Sequence, residues 1–498
     1  MIERFRPLLA LAGAMGLLST PAMAAPVSSP PNIVIIIGDD ISAEDLGCFG
    51  NPGIRTPNLD RLAAESLVFD NAYVTTSSCS PSRCSILTSR YPHNLETASE
   101  LHGALPAGIP FLPRILRDAG YYTVQSGKAH FGETPGRVTG PALTAFDVMG
   151  DGELDELYGG RGGENRWVDR LRERPQDRPF FMWFASHDAH RIWDADSFTG
   201  FARPSDVRVP PYLADTPETR ADLAHYYDEI MRLDFYVGEV MRELARQKVL
   251  DHTMVIFLSD NGRPFPHSKT RLYDDGIKTP LIVRWPGGIA QPGRTASLVS
   301  TIDLAPTLLE LAGLPRPASF QGVSLVPLFR DARATVRDYV FAEQNWHNFT
   351  AHVRMVRQGD FVYMRNAWPD LPLPGASDTF YTPSADALKR LRADGALTPL
   401  QADVFLQPRP AEEFYDLAND PDQTRNLALE TEPPAAFASL RAALDRWTQE
   451  TGDTVPRQPT ASNIDLATGR RLEMLRGEPP GAAARAAQIN APGPVRHP

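Results

Sequence analysis

The stretch Asn32-Ile33-Val34-Ile35-Ile36-Ile37-Gly38-Asp39-Asp40 decides the reading of the chain. Five consecutive β-branched residues favour extended backbone and send apolar side chains to both faces. A strand that is apolar on both faces must be covered on both, which is the situation of a parallel sheet between helical layers. Two carboxylates then stand where the strand ends, and sites in open α/β sheets form at such carboxyl ends. Working outward, further strand candidates lie at 68–73, 122–126, 180–185, 254–259 and 281–284. Helical stretches at 113–119, 221–247 and 304–311 alternate with them. Thr56-Pro57 opens another helix with a capping hydroxyl followed by Pro in the first turn. Alternation of this kind predicts one large α/β domain over residues 25–333.

After residue 333 the pattern changes. Residues 339–343, 351–357, 361–366 and 413–416 read as antiparallel strands, and 435–449 as an amphipathic helix packed on them. A smaller α+β domain over 334–455 follows. Residues 456–498 are rich in Ala, Pro, Gly and Arg and are expected to form an extended or disordered tail. At the other end, Arg4 and Arg6 precede an apolar run over 8–18 and small residues at Ala22 and Ala24. This is the pattern of an export signal over residues 1–24, so a secreted or periplasmic protein is expected.

Composition sets the outer limits. The 498 residues include 50 Lys+Arg against 61 Asp+Glu, a net charge of −11, with 42% hydrophobic and 22% charged residues. There is ample apolar material for a core, which excludes disorder as the dominant state. An acidic balance gives no broad basic surface, so neither nucleic acid nor membrane is an expected partner. Three cysteines, Cys48, Cys79 and Cys84, are too few for a disulfide scaffold.

Three groups of residues carry chemistry. In Cys79-Ser80-Pro81-Ser82-Arg83-Cys84-Ser85-Ile86-Leu87-Thr88-Ser89-Arg90, Pro81 can begin a helix. Cys79 then stands at an anion-favouring helix start, with Arg83 one turn on. The second group is acidic: Asp39-Asp40 after one strand and Asp260-Asn261-Gly262 after another. Three carboxylates and an amide are all oxygen donors, suited to Ca²⁺ or Mg²⁺. The third is basic: Lys128 and His130, His187-Asp188-Ala189-His190-Arg191, and Lys269. Recurring just after strands of one sheet, these can converge on an anionic group of a substrate.

These motifs, in this order, resemble those of the type I (formylglycine-dependent) sulfatases. Cys79-Ser80-Pro81-Ser82-Arg83 with Leu87-Thr88 is similar to the family signature, and Phe414-Tyr415-Asp416-Leu417 through Asn426-Leu427-Ala428 to a C-terminal segment. Within the family, Lys128-Ala129-His130, His187 through Arg191, 216–224, Asp260 through Pro266 and Phe380-Tyr381-Thr382-Pro383-Ser384 look like the heparan N-sulfatase (sulfamidase) branch. Three positions depart from the pattern. Ser89 stands where the signature usually has Gly, Ala189 where Pro is frequent, and Lys269 where the sulfamidase branch has Arg.

The resemblance implies an alkaline-phosphatase-like sulfatase fold, α/β, with a large mostly parallel sheet flanked by helices and a smaller C-terminal antiparallel sheet. It implies that Cys79 is converted to formylglycine by a formylglycine-generating or equivalent cysteine-oxidising enzyme. Asp39, Asp40, Cys79, Asp260 and Asn261 would hold the metal, Ca²⁺ ahead of Mg²⁺. Arg83 and Lys128 would steady the nucleophile, His130 would act as base, and Lys269 and His190 would bind sulfate, with His190 protonating the leaving atom. Asp188, Arg191, Asn345, His347 and Arg354 are candidates for holding a sulfated saccharide. The expected target is N-linked sulfate of glucosamine at the non-reducing end of heparan or heparin fragments. Alternatives are an O-sulfatase on another glycan or aryl sulfate, a phosphoryl-transfer hydrolase of related fold, and a non-catalytic glycan-binding protein.

Overall fold

The run of β-branched residues forms strand β1 (Asn32–Gly38), buried at every position but the first. In the structure, a computed structural model that describes residues 30–131, 140–150, 163–193 and 200–497, its side chains divide by parity. Ile33, Ile35 and Ile37 enter one apolar layer with Phe69, Trp183 and Leu258. Val34 and Ile36 enter the opposite layer with Leu59, Phe184 and Leu233. The period of two along a strand explains why both faces had to be apolar.

Strands β2 (Leu67–Tyr73), β3 (Tyr122–Gly127), β4 (Val148–Gly150), β5 (Phe180–Ala185), β6 (Thr253–Ser259), β7 (Leu281–Arg284) and β8 (Gly293–Ser300) complete the sheet among the described residues. Its order is β4-β3-β5-β1-β6-β7-β2-β8. All pairings are parallel except those of β7, which runs against β6 and β2. The sheet is therefore mostly parallel, as the sequence implies. Strand β8 escapes sequence reading because it lies at the edge and exposes Gly293 and Arg294. Ile37 stands opposite Ala185 and Leu258, and Gly127 opposite Ala185, so β1, β3, β5 and β6 end level. Four chain segments thus emerge side by side along one edge.

The second sheet is antiparallel, with strands β9 (Val340–Gln344), β10 (Val353–Gln358), β11 (Phe361–Asn366) and β12 (Glu412–Asp416) in the order β12-β11-β10-β9. Helix Ala435–Thr451 covers one face, placing Leu440, Leu444 and Trp447 against Phe341, Val356 and Phe414. The other face lies on the large domain, with Ala342, Val353 and Met355 against Tyr73, Leu272 and Leu298. The connection from β11 to β12 returns to the large domain. Its helix Pro383–Ala393 puts Ala387 and Leu388 into the core layer of the long helix Pro217–Arg246. Ser384 Oγ donates to Asp222 at 2.6 Å. A boundary at residue 333 thus follows the chain order but not the packing.

The described residues 456–497 run as an extended tail attached to the rest of the fold. Arg90 donates to the carbonyls of Ala487 and Ile489 at 3.2 and 2.7 Å and to Asn490 Oδ1 at 3.0 Å. Gln321 donates to the Ala491 carbonyl at 2.8 Å. The tail is held by its own backbone acceptors, which hydropathy does not register. The expected export signal over 1–24 lies outside the described residues. Among the described residues no helix is long and apolar enough to cross a membrane.

Candidate active site

Helix Cys79–Thr88 follows β2 on the level edge, and all ten of its residues are buried. It starts two residues before Pro81, which sits in the first turn where a missing N–H costs nothing. Cys79 is therefore the first helical residue. Ser89 closes the helix in the left-handed region at φ 52°. That conformation explains why Gly is usual in the resembling signature. Here Ser89 Oγ donates to the Ile302 carbonyl at 2.7 Å and accepts from Gly322 N at 3.1 Å, two bonds that offset the strain.

Cys79 Sγ lies 3.6 Å from Asp39 Oδ1 and 3.8 Å from Asp40 Oδ1. Ligand atoms of Asp39, Asp40, Cys79 and Asp260 all fall within 4.8 Å of one another, and the three carboxylates are wholly buried. Burial and mutual repulsion push Asp40 and Asp260 up to about 6 each, against the pull of Lys269 and of Arg83 respectively. Burial opposes ionisation of Asp39 too, but Lys128, His190 and Arg83 hold it well below the usual carboxylate range. Asn261 Nδ2 donates to Asp40 Oδ1 at 2.6 Å, while its buried Oδ1 has no donor. An acceptor left without a donor beside three crowded carboxylates fits a hard divalent cation. Gly262 is required next to it: a Cβ there would stand 1.8 Å from the Asp275 carbonyl oxygen.

Cations enclose this cluster. Arg83 Nε donates to Asp260 Oδ2 at 2.8 Å and a terminal nitrogen donates to the Lys128 carbonyl at 2.9 Å. Lys128 Nζ pairs with Asp39 Oδ2. Lys269 Nζ is 2.7 Å from both Asp40 Oδ2 and Asp378 Oδ2. His190 Nε2 is 3.9 Å from Asp40 Oδ2 and 3.3 Å from Asp378 Oδ2, while its Nδ1 faces the Arg191 carbonyl. His130 Nε2 meets His102 Nδ1 at 2.8 Å. Burial, then the nearby lysines, lowers His190 and His102 to about 4 each. His130 is driven well below its ordinary value by burial, His102 and Lys128. Asp40 and His130 both adopt positive φ, as do His267 and Thr270 on either side of Lys269.

The helix start does not ionise Cys79. Burial raises its thiol well above the ordinary value although Lys128 and Lys269 pull the other way. An activated cysteine shows the opposite shift. Cys84 is a core thiol and Cys48 packs at the margin of the core, both pushed up to about 12 by burial.

Of the five residues expected to hold a saccharide, His347 lies at the site. Its Nδ1 is 2.8 Å from Ser78 Oγ, and burial and Lys269 lower it to about 3. The structure gives the other four partners within the chain. Arg232 donates to both oxygens of Asp188 at 2.8 and 2.5 Å. Arg191 forks onto Asp222 at 2.7 Å twice, and Arg354 onto Asp453 at 2.6 and 2.9 Å. Asn345 donates to Glu343 at 2.9 Å and accepts from Arg354 at 3.0 Å. Polarity in a loop cannot tell a substrate contact from half of an internal ion pair. Conversely, Ser78, His102 and Asp378 escape sequence reading. Asp378 lies 109 residues from its partner Lys269, so no spacing links them. The nearest signal is Phe380-Tyr381, two residues further on.

Comparisons with known proteins give the family and the fold. A family model described as Sulfatase matches residues 31–314. One described as N-sulphoglucosamine sulphohydrolase, C-terminal, matches residues 266–363. The chain is 32% identical to human N-sulphoglucosamine sulphohydrolase over 85% of this chain and 91% of that protein. It is 29% identical to an ulvan-active sulfatase of Formosa agariphila over 85% of this chain and 75% of the relative. A solved structure in complex with its substrate D-glucosamine-2-N,6-O-disulfate superposes with a TM-score of 0.64 at 19% identity, covering 84% of this chain and 98% of that one. That likeness shows the alkaline-phosphatase-like sulfatase fold.

Proposed function

The chain belongs to the sulfatase family, and we propose that it is an exported hydrolase removing N-linked sulfate from glucosamine at the non-reducing end of heparan or heparin fragments. The observation that carries the hydrolase reading is Cys79. It is buried against the carboxylates of Asp39, Asp40 and Asp260, ringed by fixed cations, and burial raises its thiol, the direction opposite to that of an activated cysteine. Oxidation to formylglycine supplies, as the hydrate, one hydroxyl to attack sulfur and a second to release sulfate, which a thiol lacks. Asp39, Asp40, Asp260 and Asn261 would hold a divalent cation, Ca²⁺ ahead of Mg²⁺, which lowers the pKa of a nearby hydroxyl and polarises a sulfate oxygen.

The chain's own residues divide the remaining work. Arg83 is locked between Asp260 and the Lys128 carbonyl, so its charge stays fixed beside the nucleophile while bonds change. Lys128 and Lys269 supply ammonium groups for the sulfate oxygens. His130 is held neutral, the form that accepts a proton from the second hydroxyl. His190 Nδ1 carries a proton toward the Arg191 carbonyl, so a proton at Nε2 makes the ring a cation. Asp378 beside Nε2 favours that state, and a bound sulfate offsets the lysines that oppose it. His190 then delivers that proton to the leaving nitrogen.

Identity to the human N-sulphoglucosamine sulphohydrolase along most of both chains supports the N-sulfate target. The recessed nucleophile, 2% exposed, supports attack on a chain end. A second reading, an O-sulfatase, is favoured by Lys269 in place of the branch's Arg and by the ulvan-active relative. Two measurements test the proposal. The Cys79 peptide from the native host should carry formylglycine, and recovery of thiol alone would refute the mechanism. The purified enzyme should cleave N-sulfoglucosamine in preference to glucosamine 6-O-sulfate, and exclusive O-sulfate cleavage would select the second reading.

A further inference from the structure

Asp378 arrives at the site from the connection between β11 and β12, on the short helix Ser377–Phe380. Ser377 N is anchored by Asn348 Oδ1 at 2.9 Å and Thr379 Oγ1 by the Ala376 carbonyl at 2.8 Å, so the helix start is fixed in place. One carboxylate oxygen, Oδ2, meets Lys269 and His190. The other, Oδ1, is buried and has no donor. The side chains of Asp378 and His190 are 26% and 28% exposed, whereas those of Asp39, Asp40, Arg83 and Lys269 are 1% or less. The two therefore form an open margin of the charged cluster, where the sugar side of a bound substrate must lie.

We propose that Asp378 is a specificity-determining residue that accepts a hydrogen bond from the substrate's sulfamate N–H through Oδ1. The inference rests on the N-sulfatase reading and deepens it. The two linkages differ at one point that a carboxylate can sense. The bridging nitrogen of an N-sulfate carries a hydrogen, whereas the bridging oxygen of an O-sulfate carries only lone pairs. A carboxylate acceptor beside the bridging atom pairs with the first and repels the second. Because Oδ2 is already 3.3 Å from His190 Nε2, an atom protonated by that nitrogen lies within reach of the same carboxylate. The product also fits: cleavage leaves an amine that becomes an ammonium, and Asp378 is the negative group at that margin.

The test compares Asp378→Asn and Asp378→Ser with the unaltered enzyme, each with its formylglycine content verified by peptide mass and its folding by thermal unfolding. Turnover is measured on N-sulfoglucosamine and on 4-nitrophenyl sulfate. Both variants should lose N-sulfate kcat/KM by about 30-fold or more, the loss of one hydrogen bond to a charged group. Aryl sulfate kcat/KM should fall by a clearly smaller factor, since its bridging oxygen has no hydrogen to share with Asp378 and only the support of Lys269 and His190 is lost. A parallel fall on both substrates would reduce Asp378 to a support for Lys269 and His190 and overturn the inference, as would no change on either. An unaltered enzyme that leaves N-sulfoglucosamine intact while cleaving aryl sulfate would instead overturn the N-sulfatase reading itself.

Discussion

Two of the buried ionic clusters among the described residues differ in how far the chain itself satisfies them. In the smaller, Arg354 forks onto Asp453 and approaches Glu343 at 3.5 Å, and Glu343 in turn meets His93 at 2.9 Å. Burial disfavours charge there, yet Arg354 and His93 hold Asp453 well below the usual carboxylate range, and Glu343 is lowered by His93 and Arg354. At the level edge of the large sheet the balance is divided: nearby cations hold Asp39 low, burial raises Asp40 and Asp260, and the Oδ1 atoms of Asn261 and Asp378 have no donors. In the first cluster every oxygen of Asp453 and Glu343 has a donor within the chain. The second has the unsatisfied acceptors of a site that waits for a ligand, with stability given up for function.

The largest effect that can break this contrast is chemical. Cys79→Ala should reduce turnover by about 10⁴-fold or more, since the proposed nucleophile is gone. It should leave the thermal unfolding midpoint within a few degrees of the unaltered protein. Retained turnover would exclude Cys79 as the source of the nucleophile.

The complete cluster should respond in the reverse manner. Arg354→Met leaves Asp453 buried without its main partner and should cost about 3–5 kcal/mol of stability. Denaturant unfolding reads the loss, while kcat at low temperature, in the protein still folded, should stay near its original value. A fall in kcat with unchanged stability would return Arg354 to the substrate site.

Adding Ca²⁺ to chelator-treated protein should raise its stability by about 2.7 kcal/mol at a hundredfold excess over Kd. The Arg354→Met variant should show the same increment, because the two clusters are separate. Asp260→Asn should abolish it. An increment that survives Asp260→Asn would place the cation elsewhere.

Glu100 lies between the extremes. Thr460 Oγ1 donates to it at 2.7 Å and Arg476 stands 3.4 Å away, yet burial pushes it up to about 7. An acid whose folded pKa is raised binds its proton more tightly when folded, so its ionisation costs stability as pH rises from about 4.5 to about 7. Glu100→Gln should remove about 1–2 kcal/mol of that pH dependence, read as the difference in unfolding midpoint between pH 5 and pH 7.5. The lowered Asp453 and Glu343 work with the opposite sign. Their contribution is full above the ordinary carboxylate range and is lost as pH falls through their folded values.

Much of the large sheet was legible because parallel strands write themselves as unbroken apolar runs. Strands β1, β5 and β6 need no more than that. Edge strand β8, with one face in water, has no such run, and β4 is only three residues long. The clustered residues at the ends of β1, β3, β5 and β6 were legible for the same reason, since the parallel rule sends those ends to one edge. The partners of Asp188, Arg191, Asn345 and Arg354 were not legible, because an internal ion pair and a substrate contact use the same residue types.

The sequence alone therefore determined most of the strand ladder, the edge on which the charged motifs gather, the grouping of oxygen-bearing side chains there and the placing of Cys79 at a helix start. Each of these depends on neighbours within a few residues or on a periodicity. Only the tertiary structure decided whether burial or charge governs each ionisable group. It alone showed that burial raises the Cys79 thiol, and that Asp378 crosses from the smaller domain's connection to meet Lys269 and His190. Desolvation and long-range pairing depend on what packs around a group in space, which no local pattern of residues encodes.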